Sequence, residues 1–224
     1  MSVIFEVIGH PFCVVYIIIV AWVWVNVVVE EWDYKPFILS YEDCVIKRQY
    51  WRLLTSPLIH KSFLHLFFNL VMLWSVRWVE DEYGSWFMFR YTILLHFSEG
   101  LFAFLLIQYG IKLARNEIFR QYLSNIQSLG SSGVVIAWLT FMSTHLRTSP
   151  IIFLGVLPFH PAYALFPTIL LNYLLTPLSN VYANLSGLLC GYMLAGGVLT
   201  LLPTPYLTIC ILGNIFLMTL LSYY

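Results

Sequence analysis

The chain has 224 residues, of which 60% are hydrophobic and only 10% charged, and its mean hydropathy is +0.82. A soluble domain usually carries about 25% charged residues, so these charges are too few to cover a water-soluble globule. The 11 basic and 11 acidic residues give a net charge of zero, which excludes the basic patch of a nucleic-acid-binding protein. The composition therefore predicts an all-α fold, a polytopic helical bundle that lies in the lipid bilayer.

The first half of the chain predicts three transmembrane helices, because a helix needs about 20 apolar residues to cross the hydrocarbon core. These spans are expected at about residues 12–29, 60–78 and 86–111. The first polar connection, residues 30–61, holds the largest concentration of charge in the chain. Residues 112–129 are expected to form a second polar loop.

The second half predicts three further spans, at about residues 130–147, 161–175 and 181–202. Residues 206–221 are also apolar, but these 16 residues are short for a full span. This segment is expected either to cross the bilayer or to lie in its interface. The chain is therefore divided into a six-helix membrane domain, residues 1–202, and a C-terminal apolar segment, residues 203–224.

Polar residues lie inside several of these spans, where an unpartnered polar side chain is costly. His65 and Asn69 are four residues apart and therefore share one face of the second span. The run Gly130-Ser131-Ser132-Gly133 opens the fourth span, where backbone N–H groups lack partners. Taken alone, the first pair indicates interhelical hydrogen bonding. The serine run alone indicates either helix capping or an oxyanion site.

The sixth span contains a third polar group, beside a face of small residues. Gly187, Gly191 and Ala195 recur every four residues, a spacing that lets two helices pack closely. Asn184 lies one turn before Gly187 and borders this face. Taken alone, this group too indicates no more than an interhelical hydrogen bond.

Taken together, these groups resemble the rhomboid family of intramembrane serine proteases, in order and spacing, over about residues 12–202. The matching positions are Tyr50, Trp51, Arg52, His60, His65, Asn69, Glu80, Gly84, Gly130, Ser132, Gly133, Asn184, Gly187 and Gly191. The segment 153–158 and Pro167 are similar to the branch that contains the endoplasmic-reticulum rhomboids. The resemblance implies a rhomboid-like six-helix core in the endoplasmic reticulum or another secretory-pathway membrane.

The resemblance also implies a role for each site residue. Ser132 is the nucleophile position, His65 and Asn69 are oxyanion donors, and Asn184 stands at the position of the general base. The implied structural positions are Arg52, Glu80, Gly130, Gly133, Gly187 and Gly191. No metal and no cofactor is expected, and the expected partners are the lipid bilayer and transmembrane segments of other proteins.

The base position departs from the family pattern, which has a histidine three residues before Gly187. Here that residue is Asn184, and an amide does not accept a proton near neutral pH. Ile136 also replaces an aromatic residue that often packs against this histidine. Two functions stay open: a pseudoprotease that binds transmembrane segments of client proteins for quality control or trafficking, or an active intramembrane serine endopeptidase, a hydrolase that cuts single-span proteins with Ser132. The residues favour the first.

Overall fold

A computed structural model of the chain describes residues 3–145, 151–153, 157–159, 169–170, 181–201 and 209. Over these residues the fold is a helical bundle with two small antiparallel sheets, which confirms the predicted all-α membrane bundle. Most of the predicted fifth span, 161–175, and of the apolar segment 206–221 lies outside the described residues. Both therefore stay predictions, as does the division of the chain at residue 202.

Helices form most of the described structure, and they are numbered here in chain order. They are α1 (Val3–Gly9), α2 (Pro11–Val28), α3 (Arg52–Thr55), α4 (Phe63–Ser75), α5 (Trp78–Tyr83), α6 (Ser85–Leu113), α7 (Glu117–Ser124), α8 (Ser132–His145) and α9 (Val181–Ala195). Four short strands pair antiparallel, β1 (Leu39–Ser40) with β2 (Gln127–Ser128) and β3 (Ile151–Phe153) with β4 (Leu157–Phe159). The β1–β2 pair joins the two polar connections to each other.

Two of the described helices, α2 with 18 residues and α6 with 29, are long and apolar enough to cross a membrane. A third span forms if the segments 52–58 and 63–83 are taken together, although the chain bends by 101° between them. The second span was predicted to begin at residue 60, but α4 begins at Phe63. The reason is that the Ser62 hydroxyl accepts the His65 N–H at 3.2 Å and caps the helix there.

The sixth span is shorter than predicted, because α9 ends at Ala195 and not near residue 202. Gly196 and Gly197 follow in a turn. Gly197 has a φ of +75°, a left-handed conformation that glycine adopts easily and that commonly ends a helix. The predicted polar loop 112–129 is also partly helical. It contains α7, which is capped by the Asn116 side chain accepting the Ile118 N–H at 2.8 Å.

Helix α8 lies at the centre of the bundle. From Ser131 to Met142 every residue is buried, as expected of a helix that is apolar on all faces. Its main contacts are with α9, and α6 packs beside both. Because protein and not lipid surrounds α8, its 14 residues need not match the thickness of the bilayer. This position places the first residue of α8, Ser132, inside the protein.

The carboxylate of Glu80, in α5, caps the start of α2. Its two oxygens accept the N–H groups of Phe12, at 2.7 Å, and Cys13, at 3.0 Å, and the residue is only 3% exposed. These are backbone donors that a helix start leaves without partners inside the helix, and a negative charge suits this end of the helix dipole. Glu80 thereby joins the end of the second span to the start of the first.

Replacement of Glu80 by alanine is expected to lower the free energy of unfolding by about 2 kcal/mol, because the buried Cys13 N–H and the partly buried Phe12 N–H would lose a charged acceptor. Thermal unfolding in detergent measures this change. Glu82→Ala is the matched control, since Glu82 is an exposed carboxylate in the same helix. Equal losses of stability in the two variants would contradict the capping role.

Candidate functional site

The chain enters α8 through a glycine turn. Gly130 has a φ of +96°, which other residues rarely adopt, and its N–H donates to the Ser56 carbonyl at 2.9 Å. Ser131 precedes the helix, and its carbonyl accepts the first helical hydrogen bond, from Val135, at 2.9 Å. Ser132 is therefore the first helical residue and lies among unpaired backbone donors, with its side chain facing the protein interior and 6% exposed.

Ser132 is hydrogen-bonded to Asn184, 52 residues further along the chain. The Ser132 hydroxyl donates to Asn184 Oδ1 at 3.3 Å, and Asn184 is 4% exposed on α9. The structure thus brings the predicted nucleophile position and the predicted base position into direct contact. An amide oxygen accepts a hydrogen bond but takes no proton near neutral pH. The contact can therefore orient the hydroxyl, but it cannot deprotonate it.

Asn69 reaches the same helix start through Ser131, and His65 packs against the preceding residue, Gly130. The Ser131 hydroxyl donates to Asn69 Oδ1 at 3.3 Å, while Asn69 Nδ2 donates to the His65 carbonyl of its own helix at 2.8 Å. His65 Nε2 is buried and has no hydrogen-bond partner in the part of the chain that the structure describes. A buried, unsatisfied nitrogen is rare in native proteins. His65 is therefore free to bind a group that enters the site.

His60 is a further polar residue of this site to which the sequence assigned no role. It is fully buried, and its Nε2 accepts the Ser131 N–H at 3.4 Å. Its ring centroid lies 4.8 Å from that of His65, and both rings pack against Gly130, where a Cβ would lie only 2.5 Å from His65 Cε1. His60 lies in the break between two helices, where no helical periodicity shows which way a side chain points.

The remaining described histidines lie elsewhere in the bundle. His96 is hydrogen-bonded to the Tyr16 hydroxyl at 2.9 Å, His10 lies at the start of α2, and His145 is the last residue of α8. None of the three forms a hydrogen bond with Ser132 in the described part of the chain, and His160 lies outside it. Within that part, the structure therefore shows no histidine that takes the place of the absent base.

Small residues allow the contact between α8 and α9. A Cβ at Gly187 would overlap the Gly133 carbonyl, and one at Gly191 would lie 2.5 Å from the Ala137 carbonyl oxygen. The two backbones are therefore in contact along this face, the geometry that small residues at a four-residue spacing permit. This close approach brings Asn184 within hydrogen-bonding distance of α8.

Glu99 of α6 is a buried carboxyl at the same junction, and it too had no role assigned from the sequence. A Cβ on Gly133 would lie 2.7 Å from Glu99 Oε1 and 3.1 Å from the Ala183 carbonyl oxygen, so three helices meet at Gly133. Glu99 is 7% exposed. An ionisable residue inside a span is itself a sign of a functional or structural site. Among the described residues, no three His, Cys, Asp or Glu side chains are placed to hold a metal ion.

Arg52 lies outside this site and organises the first polar connection. Its Nη1 donates to the carbonyls of Lys35 and Ile38, both at 2.7 Å, and its Nε donates to Gln49 Oε1 at 2.7 Å. Arg52 is 6% exposed. These bonds link the start of α3 to the segment that follows α2. Arg52, which was predicted to be a structural position, therefore holds the two ends of the first polar connection together.

These features define a class of protein: a polytopic membrane bundle with a buried serine at the start of a central helix and a facing residue on a neighbouring helix. The family model described as Rhomboid domain matches residues 47–201, more than half of the chain. The chain therefore belongs to the rhomboid family, as the sequence motifs predicted.

Three relatives of known name support this assignment. Rhomboid-related protein 4 of Mus musculus is 30% identical over 166 residues, that of Homo sapiens 29% over 163, and that of Rattus norvegicus 30% over 166. Each alignment covers 72% of this chain and 50% of the relative. The chain thus spans about half the length of the curated relatives that it matches.

Proposed function

We propose that this protein is a catalytically impaired rhomboid that binds transmembrane segments of client proteins for their quality control or trafficking. The observation that supports this best is the hydrogen bond of 3.3 Å from the Ser132 hydroxyl to Asn184 Oδ1. Ser132 stands at the nucleophile position that the resemblance implies, and Asn184 stands at the position of the base. General base catalysis is worth about 10²–10⁴-fold in rate, and an amide cannot supply it. A serine without a base remains a hydrogen-bonding group and becomes a poor nucleophile.

The same site retains groups that can bind a client helix. A transmembrane helix that is interrupted by a helix-breaking residue exposes backbone carbonyls, which are costly to leave unsatisfied in lipid. The unpartnered His65 Nε2, in the tautomer that carries its proton there, and the N–H groups at the start of α8 are donors of the kind that these carbonyls need. Binding of interrupted single-span helices is therefore the activity that the remaining chemistry favours.

The second candidate is an active intramembrane serine endopeptidase. One observation favours it: Ser132 still lies at a helix start, and two histidines, His60 and His65, lie beside the preceding turn. Activity would require one of these rings to take the Ser132 proton. His60 instead accepts a hydrogen bond from the Ser131 N–H, and the Ser132 hydroxyl donates to Asn184. The active endopeptidase is therefore the weaker of the two candidate functions.

For location, we propose the endoplasmic reticulum, on the resemblance of segment 153–158 to that branch of the family. Microscopy of the tagged full chain beside markers of the endoplasmic reticulum and the Golgi tests this location. Co-localisation with the Golgi marker alone would contradict it.

The proposed function is tested with the native chain and Ser132→Ala in proteoliposomes. A single-span client with a helix-breaking residue and a photo-crosslinker is expected to crosslink equally to both, and to stay intact with both. A fluorophosphonate probe is expected to label the native chain no more than it labels Ser132→Ala. Cleavage of the client, or probe labelling, that is lost in Ser132→Ala would show an active protease and overturn the proposal.

A further inference from the structure

We propose that the first polar connection forms a binding site for a phosphate-bearing anion, supplied by the headgroup of an anionic phospholipid. The site is a cavity of about 490 Å³ between the segment that follows α2, the start of α3 and strand β2. The residues that determine its chemistry are Tyr34, Lys35, Asp43, Gln49, Arg52 and Lys61. This proposal does not depend on the proposed function, because the cavity shares no residue with the Ser132 site.

The cavity is positively charged. Three cations, Lys35, Lys61 and Arg52, and one carboxylate, Asp43, line it, which leaves a net charge of +2. Neither lysine forms an ion pair with any residue that the structure describes, and both are exposed. The Lys61 ammonium lies 4.8 Å above the centre of the Tyr34 ring, an arrangement that holds the charge at the cavity wall. An anion would pair with these two lysines, neither of which has a carboxylate partner among the described residues.

Asp43 does not compete for these lysines, because it is bound elsewhere. It accepts the Ser40 hydroxyl at 2.7 Å and the Lys47 ammonium at 3.0 Å, and it lies 3.4 Å from Arg52 Nη1. Burial alone would raise the pKa of Asp43, but the Ser40 hydroxyl, Lys47 and Arg52 together lower it below its usual value. The carboxylate is thus charged, and its partners among the described residues are Ser40, Lys47 and Arg52 rather than Lys35 or Lys61.

Arg52 gives the cavity a fixed donor. The guanidinium is buried, and its Nε and Nη1 are held by Gln49 and by two backbone carbonyls. Its remaining amino group, Nη2, has no hydrogen-bond partner among the described residues. A planar guanidinium held in one orientation suits a phosphate, which offers several acceptor oxygens. The two exposed lysines can then pair with the same anion from the rim.

The position of the cavity favours a lipid headgroup over a free ion. The cavity lies near the end of a membrane span, because its lining residues Tyr34 and Ile38 pack in one apolar cluster with Val27, next to the last residue of α2. Trp32 and Phe37, which flank it in the chain, are 47% and 41% exposed, and Trp32 packs edge-on against Trp22 of α2. Exposed aromatic side chains at the end of a span anchor a segment at the headgroup level. Phospholipid phosphates lie at this depth.

The test uses the purified full chain in phosphatidylcholine nanodiscs, with two probes: a short-chain phosphatidic acid and inorganic phosphate. The double variant Lys35→Gln/Lys61→Gln is expected to bind phosphatidic acid roughly tenfold more weakly than the native chain, because it loses two charge-assisted contacts. Lys112→Gln/Arg115→Gln is the matched control, since both residues are exposed cations outside the cavity. Lys35→Arg/Lys61→Arg is expected to keep the native affinity.

The two probes distinguish the two sources of the anion. Binding of phosphatidic acid with little binding of inorganic phosphate supports the lipid headgroup. Equal binding of inorganic phosphate, with the same dependence on the two lysines, overturns the lipid assignment in favour of a free anion. The site itself is overturned if Lys35→Gln/Lys61→Gln binds phosphatidic acid as tightly as the native chain does. It is also overturned if Lys112→Gln/Arg115→Gln weakens binding equally. The thermal midpoint of each variant, measured in the same nanodiscs, shows that it is folded.

Discussion

Asn184→His is expected to make Ser132 react with a fluorophosphonate probe, at a rate about 10²-fold above the background labelling of the native chain. The physical reason is the short distance, because the Ser132 hydroxyl oxygen already lies 3.3 Å from Asn184 Oδ1 and donates to it. An imidazole at this position can take the hydroxyl proton, which the amide cannot. The gain is placed at the lower end of the range for general base catalysis, because Ile136 stands where an aromatic residue often packs against the histidine of the family.

The measurement is the rate of probe labelling in detergent, compared among the native chain, Asn184→His and Asn184→Gln. The glutamine variant is the matched control, because it changes size while keeping an amide, and it is expected to label like the native chain. Labelling of Asn184→His is also expected to vanish when Ser132→Ala is added. Native labelling as fast as that of Asn184→His would mean that another group already serves as the base.

The close contact of α9 with another helix and the shared face of His65 and Asn69 could be predicted from the sequence, because both depend on regular spacing. A four-residue repeat of small residues defines a helix face whatever the rest of the fold, so Gly187 and Gly191 could be expected at a close helix contact. The same regularity places His65 and Asn69 on one face of α4. The pairing of Ser132 with Asn184 across 52 residues could be expected only through the resemblance to the rhomboid family, which implies their facing positions.

Features that depend on breaks in regular structure could not be predicted in this way. His60 lies between two helices whose axes differ by 101°, so its contact with Ser131 depends on a bend that no periodicity encodes. Glu99 is an isolated charge in an apolar span, and only the meeting of α6, α8 and α9 at Gly133 shows what it faces. The early end of α9 depends on the conformation of Gly197, a single residue in a run that remains apolar.

Gly187→Val is expected to lower the free energy of unfolding by about 3 kcal/mol, whereas Gly9→Val leaves it nearly unchanged. A Cβ at residue 187 would overlap the carbonyl group of Gly133, which is main chain and cannot rotate away. The change can be accommodated only if α8 and α9 move apart. Gly9→Val is the matched control, since no atom lies within 4 Å of a Cβ at Gly9. Thermal unfolding of the two variants in detergent measures the difference.

Separation of the two helices would also break the contact between Ser132 and residue 184, so the same substitution tests the link between packing and chemistry. In the Asn184→His background, Gly187→Val is expected to abolish probe labelling at temperatures where the chain is still folded, whereas Gly9→Val leaves labelling unchanged. Melting and labelling that both match the Asn184→His parent would show that α8 and α9 tolerate a side chain between them. Small residues on α9 would then serve some purpose other than placing residue 184 against Ser132.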